Sequence, residues 1–221
     1  MIFAFCGQKG GSGKTTAAIC IAAEFHRRGQ ATLLVDTDPQ ATSLTWSAVA
    51  AEKEISAPST IAMQAGLHRP DQLPRVARSY DHVVIDTPPR MGDVQRSVLM
   101  AADIVILPCG PTLSDTWALG ASLELVTEAQ TLRPGLIAAV LITKKKPRTT
   151  LGKGAREALS NCGVPVLRAE LTDRVAYQEF IGTGQGVTEY APRDVATGEV
   201  RALVIEILKF AKVITALPKS A

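Results

Sequence analysis

The amino-acid sequence predicts a single α/β domain built on a doubly wound, mostly parallel sheet with helices on both faces. Three observations predict this fold class. Short apolar runs alternate with helical patterns along all 221 residues, as expected for successive strand–helix–strand units. A glycine-rich loop directly follows the first apolar run. Two later runs each end in an aspartate, at the sheet edge where such folds bind their ligands.

The strands are predicted from apolar runs bounded by glycine, proline or polar residues. They cover residues 2–6, 31–35, 60–63, 82–85, 104–107, 136–142 and 164–167. The run at 136–142 is apolar throughout, which is typical of a strand buried on both faces.

Helices are predicted between these strands, where apolar residues recur at helical spacing. They cover residues 14–28, 42–52, 71–79, 97–102, 114–131, 151–161 and 195–217. No internal repeat, low-complexity tract or linker interrupts the pattern, so we expect one domain over residues 1–221.

The composition indicates a globular protein of the cytoplasm. With 46% hydrophobic and 20% charged residues, the chain does not fit disorder or coiled coil. Its net charge of +3 is too small for a histone-like protein, so binding to nucleic acid would need a local patch. The four cysteines form no C-x-x-C pair, which favours reduced thiols. No apolar run approaches the ~18 residues of a membrane span, and none fits a signal peptide.

The strongest local signal is the segment QKGGSGKTT at residues 8–16, between the first predicted strand and the first predicted helix. Glycines let backbone N–H groups wrap a phosphate, and the helix N-terminus adds positive potential. Lys14 would reach the β- and γ-phosphates, and the Thr15 hydroxyl would bind Mg²⁺. The residues predicted to bind nucleotide are Gly10, Gly11, Ser12, Gly13, Lys14, Thr15 and Thr16.

This segment departs from the usual phosphate-loop pattern at one position. The first glycine of G-x-x-x-x-G-K-[ST] would fall at residue 8, which is Gln8, and Lys9 follows it. A merely glycine-rich turn does not account for Gly-x-Gly-Lys-Thr between a strand and a helix. A dinucleotide fingerprint beginning at Gly11 fails because its third glycine is replaced by Thr16.

Three aspartates are predicted to complete the site. Asp36 and Asp38 follow the second strand, and Asp86 ends the fourth. The carboxyl ends of parallel strands meet at one edge of the sheet, so these side chains should converge on the phosphate loop. We expect Asp86 to hold Mg²⁺ directly or through water, and Asp36 to lie in the second coordination shell of the ion. We expect Asp38 to orient or activate the attacking water.

Together these residues resemble the ParA/MinD family of deviant Walker A ATPases. The similar segments are KGGSGKTT at 9–16, VDTDPQ at 35–40, IDTPP at 85–89 and DIVILPCGP at 103–111. Asp-Pro-Gln resembles the ParA branch, and the short N-terminus resembles the small ParA type without a helix-turn-helix domain. The resemblance implies a P-loop NTPase fold and Mg²⁺-dependent hydrolysis of ATP to ADP and phosphate.

The resemblance also implies a homodimer that forms with ATP. Lys9 would correspond to the family's extra lysine, which reaches the partner subunit's nucleotide, and Asp38 to its hydrolytic aspartate. A lysine supplied by a second subunit neutralises phosphate charge only when two subunits face each other, which couples ATP to dimerisation. Lys9, Lys14 and Asp38 are therefore the expected catalytic residues, and hydrolysis would release the dimer.

A further implication of the resemblance is binding to double-stranded DNA without sequence preference, and hence association with the nucleoid. The candidate DNA-binding residues are Lys144, Lys145, Lys146, Arg148 and Arg174. Single basic residues more often simply cover a soluble surface. The three lysines could also border the nucleotide's base, because their strand ends at the site.

The resemblance implies a cargo, such as a plasmid, chromosome region or protein assembly, and a ParB- or ParG-like adaptor that stimulates hydrolysis. The rival hypothesis is a MinD-like switch on a membrane. That hypothesis needs a basic amphipathic helix beyond the domain, whereas only residues 218–221 follow the last predicted helix. A metabolic ligase on the same fold would give Lys9 no role, and Cys109 alone does not supply the cysteines of an iron–sulfur reductase.

Overall fold

The computed structural model describes residues 1–90 and 92–216. Its strands form one parallel sheet in the order β3-β2-β4-β1-β5-β6-β7. The strands are β1 (Ile2–Phe5), β2 (Thr32–Asp36), β3 (Ser59–Ala62), β4 (His82–Asp86), β5 (Ile104–Cys109), β6 (Ile137–Lys145) and β7 (Val166–Thr172). The prediction of a doubly wound parallel sheet is confirmed.

The helices connect these strands and pack on the two faces of the sheet. They are α1 (Lys14–Arg27), α2 (Thr42–Glu52), α3 (Leu73–Val76), α4 (Gly92–Ala101), α5 (Leu113–Leu132), α6 (Thr150–Ala158), α7 (Ala176–Glu179), α8 (Val187–Tyr190) and α9 (Val195–Ala216). Two short 3-10 turns, Ala77–Ser79 and Phe180–Thr183, follow α3 and α7. No helix in this described part is long and apolar enough to cross a bilayer.

Two apolar cores lie on opposite faces of the sheet. One packs α1, α2 and α7–α9 against the sheet around side chains such as Phe25 and Phe180. The other packs α3–α6 around side chains such as Val98 and Leu119. Alternate residues of each central strand face opposite cores, so β1 sends Phe3 to the first and Ala4 to the second. Burial on both faces explains why the central strands are almost uniformly apolar.

The structure differs from the predicted elements mainly on the carboxyl-terminal side. Strand β7 runs to Thr172, although the apolar run predicts an end at residue 167. The short helices α7 and α8 were not predicted. The predicted end of the last helix at residue 217, and the tail on which the membrane argument rests, lie outside the described residues.

The free edge of β7 is covered by two glutamates of α9. The Glu206 carboxylate accepts hydrogen bonds from the backbone N–H groups of Arg168 and Ala169, both at 2.8 Å. Glu199 accepts one from the N–H of Thr172 at 3.0 Å. These carboxylates take the place that a neighbouring strand would occupy, which is one way natural sheets protect an edge.

Candidate nucleotide-binding site

The loop between β1 and α1 has the backbone geometry of a phosphate cradle. Gly11 and Gly13 adopt φ values of 70° and 93°, a left-handed region open to glycine at little cost. Gly13 stands at the N-terminus of α1, so the free N–H groups of the first helical turn point out of the loop. The loop is anchored to β6, because Thr143 donates a hydrogen bond to the Ser12 carbonyl at 2.8 Å.

Lys14 lies inside this loop and is only 5% exposed. Its ammonium donates a hydrogen bond to the Lys9 carbonyl at 3.1 Å. Burial lowers the pKa of Lys14, and the nearby Asp86 and Asp38 carboxylates oppose that shift. A buried cation with so few partners gains from a polyanion, as the phosphate chain of a nucleotide would be.

Asp86 is fully buried at the carboxyl end of β4. Its Oδ2 accepts a hydrogen bond from Ser43 at 3.1 Å, whereas its Oδ1 has no hydrogen-bond partner among the described residues. Burial raises the pKa of Asp86 to about 7, and this rise is opposed by the hydroxyls of Thr15 and Ser43. An unpaired, desolvated carboxylate oxygen is costly unless a cation meets it.

Asp36 is the direct neighbour of Asp86 in the register of β2 and β4. Its carboxylate organises the following turn, accepting hydrogen bonds from the N–H of Asp38 at 3.0 Å and from the N–H of Leu44 at 3.1 Å. Burial raises the pKa of Asp36, and the neighbouring Asp38 adds to that rise. Asp36 therefore also fixes where Asp38 stands and where α2 begins.

The P-loop (residues 8–16) and the aspartate turn (residues 36–41) border a cavity of about 460 Å³, a volume typical of a small-molecule site. Its wall includes the predicted nucleotide-binding residues, Asp38 and Lys144. Asp38 accepts a hydrogen bond from the N–H of Gln40 at 2.9 Å. Ser12 also lines the cavity, and its buried hydroxyl has no hydrogen-bond partner in the described part of the chain.

These residues fit a magnesium ion that is shared with phosphate. Mg²⁺ usually takes one or two protein oxygens and completes its shell with water and phosphate. Asp86 offers a buried oxygen without a partner, and the Thr15 hydroxyl lies beside that carboxylate. No cluster of three or more acidic, histidine or cysteine ligands occurs in the described residues. The Asp86 carboxylate and the Thr15 hydroxyl are the oxygens that would hold the ion.

A second cavity of about 400 Å³ adjoins the first and shares Gly13, Thr16 and Lys144 with it. Its far wall is formed by the end of β7 and by α7, including Arg174, Tyr177 and Gln178. Sequence reasoning did not identify Tyr177 or Gln178, because α7 shows no helical periodicity. The two cavities therefore form neighbouring spaces that meet at Gly13, Thr16 and Lys144.

Lys9 contacts its own chain at the start of α5. Its ammonium donates hydrogen bonds to Asp115 at 2.6 Å and to Ser114 at 3.0 Å. Asp115 also forms a capping box with Thr112, which fixes its position. Burial alone would raise the pKa of Asp115, but hydrogen bonds from Lys9 and Thr112 outweigh it and lower that pKa. Sequence reasoning found Lys9 but not this partner.

The five candidate DNA-binding residues are not equivalent. Lys145 pairs with Glu170 at 2.6 Å, and Arg174 pairs with Glu199 at 3.0 Å. Lys146 is 72% exposed and lies 3.9 Å from Asp173. The Lys144 ammonium lies close to the P-loop, because a Cβ added at Gly11 would be 4.0 Å from the Lys144 Nζ. Arg148 is exposed after β6.

A family model described as the CobQ/CobB/MinD/ParA nucleotide binding domain matches residues 3–187. The chain belongs to this family. The match spans the P-loop, all three aspartates and the second cavity. It confirms the ParA/MinD resemblance and agrees with a site built to hold a nucleotide.

Several curated relatives of the family align along most of this chain. The protein named "Maintenance of carboxysome distribution protein A" from Halothiobacillus neapolitanus is 27% identical over 202 residues, which is 90% of this chain and 93% of that protein. Its namesake from Gloeobacter kilaueensis is 30% identical over 90% of this chain and 88% of its own. The "Chromosome-partitioning ATPase Soj" of Thermus thermophilus is 27% identical over 93% and 94% of the two chains.

Solved structures from the family share the fold. Apo McdA from Cyanothece superposes with a TM-score of 0.73 at 18% identity and covers 91% of this chain and 98% of its own. MinD from Pyrococcus horikoshii, complexed with Mg-ADP, gives a TM-score of 0.67 at 20% identity over 98% and 99% of the two chains. The prediction of a P-loop NTPase fold of the ParA/MinD type is confirmed.

Proposed function

We propose that this protein is a Mg²⁺-dependent ATPase that dimerises with ATP, binds DNA in that state, and positions a cargo. The observation that carries the ATPase proposal is a group of buried polar atoms with few or no partners around the phosphate loop. The Lys14 side chain lines the cavity, and the Ser12 hydroxyl lacks a partner. The Asp86 carboxylate, close enough to oppose the lowering of the Lys14 pKa by burial, has one oxygen without a partner among the described residues. A nucleotide with its magnesium ion would supply a partner for each of them.

Each group then has a role. The N–H groups of residues 10–16 and the Lys14 ammonium would bind the phosphates, with Lys144 above them. Thr15 and Asp86 would hold Mg²⁺, which neutralises phosphate charge when bound. Asp36 positions the turn, and Asp38, which lies at the cavity wall, would orient the attacking water. The nucleoside would occupy the second cavity.

Dimerisation would place Lys9 against the phosphates of the partner subunit. This step requires the contact between Lys9 and Asp115 to open, and a triphosphate offers the lysine a stronger anion than one carboxylate. Hydrolysis removes the γ-phosphate and with it part of that attraction. The dimer would therefore persist only while ATP is intact.

The first test measures nucleotide binding and turnover. Lys14→Ala and Asp86→Asn should each lower ATP turnover by about 100-fold or more, which is the loss expected when a contact to phosphate or metal is removed. Lys209→Ala, which removes an exposed lysine of α9, is the control and should behave as wild type. Turnover assays with and without Mg²⁺ measure this. Wild-type turnover by both site variants would refute the proposed site.

DNA binding is supported by two exposed cations that follow β6, Lys146 and Arg148. Two copies in one dimer would double the patch and make it bind phosphates with a steep salt dependence. The pairing of Lys145 and Arg174 with carboxylates makes them weaker candidates. The cargo would be DNA or a protein assembly, as the relatives' names suggest, and a small adaptor would stimulate hydrolysis.

The second test is co-sedimentation with DNA in ATP, ADP or no nucleotide, at several salt concentrations, beside anionic liposomes. We expect ATP-dependent binding to DNA that weakens steeply with salt. Arg148→Glu should weaken it, whereas Arg78→Glu, an equal charge change at an exposed residue near the start of β4, should not. Binding to liposomes instead of DNA would favour the membrane hypothesis and overturn this one.

A further inference from the structure

Strand β6 contains one extra residue near its end, Lys144. Thr143 and Lys145 lie opposite Leu171 and Thr172, which are adjacent in β7, so Lys144 has no opposite residue in the ladder. Two residues facing one is the arrangement of a β-bulge, which bends the strand and re-aims a side chain. Bulges are rare in parallel sheets and occur preferentially next to active sites.

The bulge releases Lys144 from the in-and-out alternation of β6. Alternate residues of this strand up to Ile142 face the core that includes α6, and residue 144 would ordinarily follow them. Lys145 takes that place instead, because it and Arg156 of α6 both pair with Glu170, at 2.6 and 2.8 Å. The Lys144 side chain is left exposed at the carboxyl end of the strand.

The backbone of Lys144 has a conformation that suits glycine better than lysine. Its φ is 53°, in the left-handed region that residues with a Cβ adopt only at a cost. Glycine is the usual residue where a bulge requires this conformation. Unfavourable backbone of this kind is concentrated at ligand sites, so the lysine side chain is the part of residue 144 that calls for a function.

The Lys144 ammonium is a cation without a partner beside the P-loop. Lys145 and Lys146 each lie near a carboxylate, whereas the Lys144 side chain forms no ion pair or hydrogen bond with any other described residue. Its Nζ would be 4.0 Å from a Cβ added at Gly11. Lys144 also lines both the cavity at the P-loop and the second cavity. The free charge therefore lies where a nucleotide would pass from one cavity to the other.

We propose that the bulge serves nucleotide binding: it presents Lys144 to the phosphates, so that a single chain holds its nucleotide between two of its own lysines. Lys14 would bind the phosphates from inside the P-loop, and Lys144 from the exposed side. The inference rests on the proposed nucleotide-binding function. It gives Lys144 a role that Lys9 does not fill in a single chain, because Asp115 holds Lys9 at 2.6 Å. Lys144 then belongs to the nucleotide site and not to the DNA-binding surface.

The expected contribution of Lys144 follows from the chemistry of its contact. A hydrogen bond between an ammonium and a phosphate oxygen is charge-assisted, and such bonds contribute about 10-fold to 100-fold in binding. Lys144 is exposed, so water and salt screen part of that attraction. We therefore expect a loss of about 10-fold, at the lower end of that range, when the ammonium is removed.

Nucleotide affinity tests the proposal, measured by calorimetry with Mg²⁺ and a non-hydrolysable ATP analogue. The reference chain carries Lys9→Ala, and every variant is made in it, so that a partner's Lys9 cannot contribute. Adding Lys144→Ala should weaken binding about 10-fold, and Lys144→Arg should retain most of the affinity. Arg193→Ala is the control, because it removes an equal charge at an exposed residue just before α9 and should bind as the reference does.

Two substitutions at position 144 separate the charge from the backbone. Lys144→Gly and Lys144→Ala both remove the ammonium, but glycine accepts the left-handed φ at less cost than alanine. Both should lose the same nucleotide affinity, while Lys144→Gly should unfold at a higher urea concentration than Lys144→Ala. If Lys144→Gly binds nucleotide as tightly as the reference, the effect of Lys144→Ala comes from the backbone and the proposal is wrong.

The outcomes separate this inference from the proposed function. A wild-type chain that binds no nucleotide overturns both. Unchanged affinity in Lys144→Ala overturns the role of Lys144 alone, and so does a Lys9→Ala reference that binds no nucleotide while wild type binds it. If Lys144→Ala keeps its nucleotide affinity but co-sediments less with DNA, the lysine belongs to the DNA-binding surface and the inference is overturned.

Discussion

His82, the first residue of β4, is a polar side chain enclosed by aromatic rings. Its ring centroid lies 4.3 Å from that of Phe25 and 5.6 Å from that of Phe3. Neither ring nitrogen has a hydrogen-bond partner among the described residues. Burial lowers the pKa of His82, the positive N-terminus lowers it further, and Asp81 opposes both. The folded protein therefore favours a neutral imidazole.

His82 should make the free energy of unfolding decrease in mildly acidic solution. Because the folded-state pKa lies below the unfolded value of 6.5, the unfolded chain binds the proton more readily, and stability falls as the pH drops below about 6.5. His82→Phe should flatten that part of the pH profile of urea unfolding. The control Gln64→Ala, at an exposed residue without a titratable group, should leave the slope as in wild type. An unchanged slope in His82→Phe would contradict the assignment.

At the scale of elements, α2 joins the aspartate turn to the segment that follows α7. Trp46 of α2 donates a hydrogen bond to the Gln185 carbonyl at 2.9 Å. Lys53, just beyond α2, donates one to the Thr183 carbonyl at 3.1 Å. Gly184 adopts φ 78°, and a Cβ there would lie 2.5 Å from the backbone nitrogen of Ala50. Close backbone contact thus fixes α2, which begins just after Asp38.

Gly184→Ala should therefore be strongly destabilising. The substitution combines a left-handed φ with a collision against backbone atoms, and we expect a loss of about 2–4 kcal/mol in the free energy of unfolding. Gly182→Ala is the matched control, because its added Cβ meets nothing within 4 Å. Chemical denaturation of both variants measures the difference. Similar stabilities would show that the contact between α2 and this segment is loose.

The elements that sequence reasoning found are those with strong apolar patterns. Helix α2 matches the predicted range 42–52. Helix α4 begins at Gly92, earlier than the predicted residue 97, because buried Val94 stands among polar neighbours. Helices α7 and α8 have four residues each, too few to show a period. Strand β7 carries the charged residues Arg168 and Glu170, which an edge strand tolerates. Because these charges interrupt the apolar run, the sequence pattern predicts a strand that is too short.

The residues of the candidate site likewise fall into those that local sequence patterns predict and those that they do not. The P-loop and the aspartates are predictable because each lies within a local motif at a strand end. The contact between Lys9 and Asp115 joins residues 106 positions apart, and only the assembled sheet brings them together. The second cavity likewise combines β6, β7 and α7. Contacts of this kind depend on topology, which local patterns do not encode.

At the scale of the whole molecule, Asp115 holds Lys9 within its own chain, and in the proposed dimer it would compete with the partner subunit's nucleotide for that lysine. Asp115→Asn keeps a side chain that can cap α5 but removes the charge that holds the lysine. The ATP dimer should then form about 2–5-fold more tightly, the size expected for a partly exposed ion pair. Sedimentation across a range of protein concentrations measures this.

Two controls accompany that prediction. Asp173→Asn neutralises a comparable carboxylate that lies near Lys146 rather than Lys9, and it should leave dimer affinity closer to wild type. Adding Lys9→Ala to Asp115→Asn should abolish the gain. A weaker dimer in the single Asp115→Asn variant would show that the carboxylate itself supports the interface.

The glutamates along β7 limit how these molecules can join. A bare sheet edge invites strand swapping and endless stacking into fibres, especially where molecules crowd together on a shared scaffold. Glu206 and Glu199 already occupy three of the N–H groups that an incoming strand would need. Crowded copies are thereby discouraged from extending one another's sheet at this edge.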